Sequence, residues 1–187
     1  MKVLITGGAG YIGSHIALQL LERGEEVLIA DDFRNSHESV IDRIEAITGK
    51  RPGVYKLDVS DRSAIREIFQ DNQLDSVIHA AGFKALSESV ERPLDYYVNN
   101  LTSTFSLVEA MLDFGVPNFI FSSSASVYGY PKVLPIGEDS PYACTNPYAR
   151  TKMIIELFLA DIAQARADFS LVSLRYFNPI EIGRAHV

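Results

Sequence analysis

Lys2–Gly13, KVLITGGAGYIG, is the stretch from which the architecture follows. Val3-Leu4-Ile5-Thr6 is apolar and β-branched, the composition of a short strand buried on both faces. Glycines follow at 7, 8, 10 and 13, and the apolar run His15–Leu21 predicts a helix with Ser14 near its first turn. Two spacings fit: G-x-x-G-x-x-G through Gly7, Gly10 and Gly13, and G-x-G-x-x-G through Gly8, Gly10 and Gly13. Such a turn lets backbone bend sharply, approach a phosphate and pack helix on strand. A pyrophosphate would rest there on free N–H groups at the positive end of the helix dipole. A ligand-free tight turn could use the same glycines. Strand, glycine turn and amphipathic helix in this order favour a dinucleotide.

Outward from that stretch, strand and helix signals alternate without repeats or low-complexity linkers. Strands are expected at Glu26–Ala30, Gly53–Leu57, Asp75–Ala80, Asn118–Phe121 and Ser170–Tyr176. Helices are expected at Ser39–Ile47, from the cap Asp61 to about Gln70, at Pro93–Phe114 and at Pro147–Ala165. This is βαβαβ twice over, an α/β, Rossmann-type doubly wound parallel sheet of order 3-2-1-4-5-6. Ligands of such sheets bind beyond the carboxyl ends of the strands. The glycine loop, Asp31, Asp58, Ala80–Lys84, Ser122–Ser124 and Tyr176–Asn178 all fall at those ends, and a binding crevice accounts for them together.

The 187 residues fit one domain, and 47% hydrophobic with 22% charged residues is an ordinary globular composition. A net charge of −7 gives no basic footprint for nucleic acid or an anionic membrane. The single cysteine, Cys144, cannot form an internal disulfide, which suits the cytoplasm. The apolar run at the N-terminus is broken at once by glycines and reads as a strand, not a signal peptide. No segment approaches the ~20 apolar residues of a membrane helix. His15, His37 and His79 lack metal-ligand spacing and take structural or surface roles, so no metal is expected.

Asp31, eighteen residues after Gly13 at the end of the second strand, is placed to accept from adenosine ribose hydroxyls and to repel a 2′-phosphate. That favours NAD over NADP. Asp58 fits an adenine contact and a strand-end cap equally. Tyr148 and Lys152, four apart, share one helix face. A tyrosine is normally protonated, but an adjacent ammonium and a nicotinamide cation would favour tyrosinate and lower its pKa toward working pH. Tyrosinate could take a proton from a substrate hydroxyl while hydride leaves the same carbon. Ser124 would hold that hydroxyl, or cap a turn. Arg175 reads as a surface or interdomain residue. The helices 93–114 and 147–165 are apolar around much of their circumference, through Leu94, Val98, Leu101, Phe105, Met153, Ile154, Leu157 and Phe158 among others, which predicts a homodimer or cover from further chain.

The strings VLITGGAGYIGSH, DSVIHAAGFKALSESVERPLDYYVNN, NFIFSSSASVYG, PYARTK and LRYFNP resemble the extended short-chain dehydrogenase/reductases, and within them the branch that inverts carbon 4 of UDP-sugars. They run from Lys2 to Pro179. The resemblance implies NAD held by Gly7, Gly10, Tyr11, Ile12, Gly13, Asp31, Asp32, Phe33, Arg34, Asn35, Ser36, Asp58, Val59, Ala80, Ala81, Gly82, Phe83, Lys84, Asn99, Ser122, Tyr148, Lys152 and Phe177. It implies UDP-sugar contacts from Lys84, Ser124, Tyr148 and Asn178, with Tyr148, Lys152 and Ser124 catalytic and Tyr148 the base. The family mechanism passes hydride from carbon 4 to NAD and returns it to the opposite face of the 4-keto sugar. Ala125 and Ser126 stand where 4,6-dehydratases of the family carry acidic residues, so an elimination acid is absent. UDP-glucuronate or UDP-pentose epimerases, a net oxidoreductase and a non-catalytic NAD sensor stay open.

Family members continue into a C-terminal substrate domain, so residues 1–180 are expected to be the NAD-binding half, truncated before it. Glu181–Val187, EIGRAHV, departs from the family's glycine–alanine turn and reads as a translated sequencing adapter, a non-native tail. As it stands, the chain is expected to bind NAD weakly and turn over little.

Overall fold

The computed structural model describes residues 1–179. Six parallel strands form one sheet in the order β3-β2-β1-β4-β5-β6. They are β1 (Lys2–Thr6), β2 (Glu26–Asp31), β3 (Gly53–Lys56), β4 (Ser76–His79), β5 (Asn118–Ser124) and β6 (Ser170–Tyr176). The helices are α1 (Tyr11–Glu22), α2 (Ser39–Thr48), α3 (Arg62–Asp71), α4 (Leu86–Glu91), α5 (Pro93–Phe114) and α6 (Pro147–Ala165), with a 3₁₀ turn at Ala125–Tyr128. The expected sheet order and strand–helix alternation hold.

Alternation along the central strands sends side chains to two cores. Val3, Ile5, Val27, Ile29 and Ile78 meet Ala17 and Leu21 of α1 and Ile41 and Ile44 of α2. On the opposite face Leu4, Leu28, Val77, Phe119 and Phe121 meet Ile65, Ile68 and Phe69 of α3, Leu107 and Met111 of α5, and Ile155 and Leu159 of α6. Each fully buried Ile or Leu contributes on the order of 1.5–3 kcal/mol. Asp61 caps α3, its Oδ1 accepting from the N–H groups of Ser63 and Ala64 at 2.9 and 3.2 Å. Asn146 caps α6, accepting from the Ala149 N–H at 2.8 Å, and Pro147 opens that helix where a missing N–H is tolerated. Gly115 closes α5 in the left-handed region at φ 69°.

Three expectations need correction. The first helix starts at Tyr11, not His15, so Tyr11, Ile12 and Gly13 belong to its first turn, where Ser14 Oγ donates to the Tyr11 carbonyl. β5 runs through Ser122–Ser124, because β6 pairs with it as far as Ser124↔Tyr176. The short α4 was not anticipated: six residues opened by Ala85 without a side-chain cap leave no start signal. The tail expected at 181–187 lies outside the described residues.

The long helices α5 and α6 pack on each other, with Phe105 and Phe158 edge-to-face at 4.7 Å. Val108, Ile155 and Leu159 are consumed by the core, whereas Leu94, Val98 and Leu157 are 72%, 56% and 50% exposed. Part of the apolar excess is therefore exposed at the surface. No helix among the described residues is long and apolar enough to cross a membrane.

Candidate active site

The glycine turn is shaped by missing side chains. Gly7 sits at φ 68°, and a Cβ on it would lie 2.6 Å from the Ala81 nitrogen, so β1 and the segment after β4 come together backbone to backbone. A Cβ on Gly13 would lie 2.3 Å from the Gly7 carbonyl oxygen. Gly10 caps α1 without a side chain, and the first turn carries no acidic residue. The first turn of α1 thus carries no acidic side chain of its own over its leading N–H groups, which fits a pyrophosphate.

Asp31 ends β2 beside this turn, only 8% exposed. Its Oδ2 accepts from the Ala9 N–H at 2.9 Å, and its Oδ1 from the Phe33 N–H and the Ser36 hydroxyl, each at 2.9 Å. One carboxylate so ties the glycine turn to the 32–36 loop. Asp32 accepts from the Arg34 N–H at 2.8 Å. The Arg34 guanidinium reaches Asp32 and Asp58, at 3.0 and 3.3 Å, and lies 5.4 Å from the Phe83 ring centroid. Burial works to raise the Asp58 carboxyl, but hydrogen bonds from Ser60 and the charge of Arg34 outweigh it and hold it below the usual range. The side chain therefore takes the strand-end cap, one of its two expected roles, and stays ionised. Asn35 and Lys84 are exposed, and Val59 is buried in the core.

The Ala80–Lys84 segment is held by Asn100 of α5. Its Oδ1 accepts from the Phe83 N–H at 2.8 Å, and its Nδ2 donates to the Phe83 carbonyl and to Thr151 Oγ1, both at 3.1 Å. Asn99 donates to the same Oδ1 at 3.0 Å. Beneath, His79 is fully buried between Thr6 Oγ1 at 2.7 Å and Thr104 Oγ1 at 3.1 Å, with Phe121 stacked 6.0 Å away. Burial and the charge of Lys152 push its pKa down to about 3, so the imidazole is neutral.

Tyr148 and Lys152 project from the first two turns of α6 toward β5. Lys152 is 6% exposed and donates to the Ser122 carbonyl at 2.8 Å, with its Nζ 4.7 Å from the Phe121 ring centroid and 5.9 Å from that of Tyr148. Burial lowers its amine to about 8, partly countered by the Glu156 carboxylate. The Tyr148 phenol moves opposite to the lowering expected from its neighbour: burial pushes it up, and only a hydrogen bond with Ser124 pulls it back. The physical reason is that the ammonium is turned to the Ser122 carbonyl rather than to the phenol oxygen. Ser124 Oγ also accepts from the Ser126 N–H and hydroxyl, at 3.2 and 2.9 Å, so it caps the 3₁₀ turn as well. The glycine turn, Asp31, Ser124, Tyr148 and Lys152 all stand at the carboxyl ends of the strands. Phe177 and Asn178 follow β6 there and are exposed.

The sequence profile of the NAD dependent epimerase/dehydratase family matches residues 3–183. The chain belongs to that family. The UDP-glucose 4-epimerase of Bacillus subtilis (strain 168) is 49% identical over 179 residues, covering 96% of this chain and 53% of that protein. UDP-glucose 4-epimerase 2 of Arabidopsis thaliana is 46% identical, covering 96% and 52%. Among solved structures, the Bifidobacterium longum UDP-glucose 4-epimerase in complex with NAD+ and UDP superposes with a TM-score of 0.94 at 45% identity, covering 96% of this chain and 54% of that one. The Stenotrophomonas maltophila enzyme, with bound NAD and formylated UDP-arabinopyranose, also gives 0.94, at 42% identity and 96% and 54% coverage. The chain spans about half the length of the relatives it matches.

Three residues that brace the elements around this crevice were given no such role from sequence. Asn100 could have been suspected, because a second asparagine in mid-helix is a poor helix former. Glu156 stands one turn after Lys152 in an apolar helix, which is also a signal. Arg175, read from sequence as a surface or interdomain residue, is instead held inside this domain, and no local signal marked it: its partners Glu156, Tyr128 and Tyr142 come from three separate parts of the chain.

Proposed function

We propose that this chain is the NAD-binding half of a UDP-glucose 4-epimerase, an isomerase of galactose metabolism. What supports the reading above all is the convergence of Ser124, Tyr148 and Lys152 beside a glycine turn and Asp31, in a chain of this family. The turn would hold the pyrophosphate through the α1 N–H groups, Asp31 the adenosine ribose, and the Asn100-braced Phe83–Lys84 segment and Lys152 the nicotinamide end. Bound NAD would supply a positive ring beside the phenol and a reversible hydride acceptor for carbon 4 of the sugar.

The remaining steps belong to side chains of this chain. Ser124 holds the sugar's 4-hydroxyl. Burial alone keeps Tyr148 protonated, so it becomes a base only when positive charge beside it offsets that cost. Lys152, with its amine near 8, is largely charged at neutral pH and provides part of that charge. Tyr148 takes the hydroxyl proton as carbon 4 is oxidised and gives it back when the centre is reduced from its other face. Sugar recognition falls largely to the part of the relatives this chain does not span, with Lys84 and Asn178 contributing from this half. Residues 181–187 are read as non-native, which sequencing of the encoding DNA checks.

The exposed apolar side chains of α5 and α6 support a homodimer in which these helices pair, and the single cysteine supports a cytoplasmic location. An NAD sensor is the reading from another class, but it would give Tyr148 no use. The test joins residues 1–179 to the C-terminal half of the B. subtilis relative and measures interconversion of UDP-glucose and UDP-galactose. Activity is expected, with Tyr148→Phe lowering kcat about 10²–10⁴-fold. A folded, NAD-binding fusion with no interconversion, or one indifferent to Tyr148→Phe, would overturn the proposal.

A further inference from the structure

Three consecutive serines of β5 each engage one of three residues spaced a turn apart on α6. The Ser122 carbonyl accepts from Lys152, Ser124 hydrogen-bonds with Tyr148, and Ser123 Oγ donates to Glu156 Oε1. The first two contacts belong to the site described above. The third leads into a buried cluster with no part in it so far. The Glu156 side chain is 5% exposed and that of Arg175, on β6, is 20% exposed. Glu156 Oε2 accepts from Arg175 Nη2 at 2.6 Å and from the Tyr142 hydroxyl at 2.8 Å, and Arg175 Nε lies 3.1 and 3.0 Å from the two carboxylate oxygens. Arg175 Nη1 donates to the Tyr128 hydroxyl at 2.7 Å and to the Glu138 carbonyl at 2.8 Å, and Nη2 to the Tyr142 hydroxyl at 2.9 Å. The guanidinium lies 5.0 and 5.1 Å from the Tyr128 and Tyr142 ring centroids. One carboxylate thus joins β5, β6, α6 and the loop that leads into α6.

We propose that Glu156 and Arg175 are a positioning pair for the proton-transfer site: the clamped carboxylate fixes the turn of α6 carrying Lys152 and, with the guanidinium behind it, sets the balance of charge around that ammonium. The charged and titratable groups around Lys152 are Glu156 and Tyr148 on α6, neutral His79 on β4, and Arg175 behind Glu156. Only Glu156 among them is an anion, and Arg175 neutralises it. A pair that served packing alone would not need to stand one turn from Lys152. A carboxylate there favours the charged amine, and a guanidinium opposes it, so removing each moves the amine in opposite directions. The inference rests on the proposed role of Lys152 beside Tyr148.

The test is a carbon-13 NMR pH titration of Lys152 in the 187-residue chain, its resonance assigned with Lys152→Met. Glu156→Gln, nearly isosteric, is expected to lower the midpoint by about one pH unit, and Arg175→Gln to raise it by about half a unit. Arg175→Lys, which keeps a cation, is expected to leave it within about 0.3 unit. Circular dichroism checks that each variant is folded. If Glu156→Gln does not fold, the contrast between Arg175→Gln and Arg175→Lys decides alone. Shifts of the same sign for Glu156→Gln and Arg175→Gln, or no shift in folded variants, would overturn the assignment. Because no substrate is present, that outcome leaves the epimerase reading standing, and failure of epimerisation in the fusion would leave this one standing.

Discussion

The two ends of the crevice are built on opposite principles. Around the glycine turn, β1, α1 and the segment after β4 approach through bare backbone, and the site is made by what Gly7 and Gly13 lack. At the β4–β5–β6 end, under α6, the space is filled with buried polar and charged side chains, among them His79, Lys152 and Glu156, with the part-buried Arg175 against Glu156. The first end offers fixed N–H dipoles from its bare backbone, with the Asp31 carboxylate tying the turn in place. The second carries the groups whose protonation the chemistry needs, and each must be offset locally because burial penalises it. The difference teaches how each end fails: one by added volume, the other by altered charge.

The largest break is expected at Gly13→Ala. Its Cβ would press on the Gly7 carbonyl and the Gly8 Cα, both backbone, with no flexible side chain to yield. A loss of about 4 kcal/mol in urea denaturation is expected, at the upper end for overpacking.

The other end should reveal itself through pH. His79 is held neutral by burial, with its pKa at about 3 against 6.5 in the unfolded chain. A histidine with a depressed folded pKa contributes its full stability above about 6.5, and that stability drains away as pH falls toward 3. By pH 4 the loss attributable to this ring is expected to be about 3 kcal/mol, read from urea denaturation across pH. His79→Asn should start less stable and flatten that part of the profile. A profile unchanged by the substitution would place the acid sensitivity elsewhere.

The smallest effect sharpens the comparison. Asn146→Ala removes a single side-chain cap from α6, and about 1 kcal/mol of stability is expected to go with it in the same denaturation assay. Under the proposed binding mode, NAD affinity is expected to change less than stability does.

Sequence disclosed the two ends unequally for the same reason. Lys2–Gly13 is read in one pass because strand, turn and helix are adjacent in the chain and glycines mark where side chains cannot stand. The sheet order followed from alternating apolar periodicity, and Asp31 and the Tyr148–Lys152 pair from short spacings. The Arg175 network was not legible, since its members are brought together only by the pairing of β5 with β6 and the docking of the 129–146 loop. The rise in the Tyr148 phenol was missed because burial, and the direction in which Lys152 points, are properties of packing rather than spacing.

Asn100 does for the Phe83 peptide what a neighbouring strand would do, answering both its N–H and its carbonyl with one side-chain amide. It is in effect a peptide group on a stalk, standing in for a ladder rung beside that segment. Aspartate would keep the shape and turn the donor into a second acceptor facing a carbonyl, and leucine would answer neither group. The loop that frames the crevice therefore depends on a kind of side chain that only asparagine and, with a longer reach, glutamine can supply.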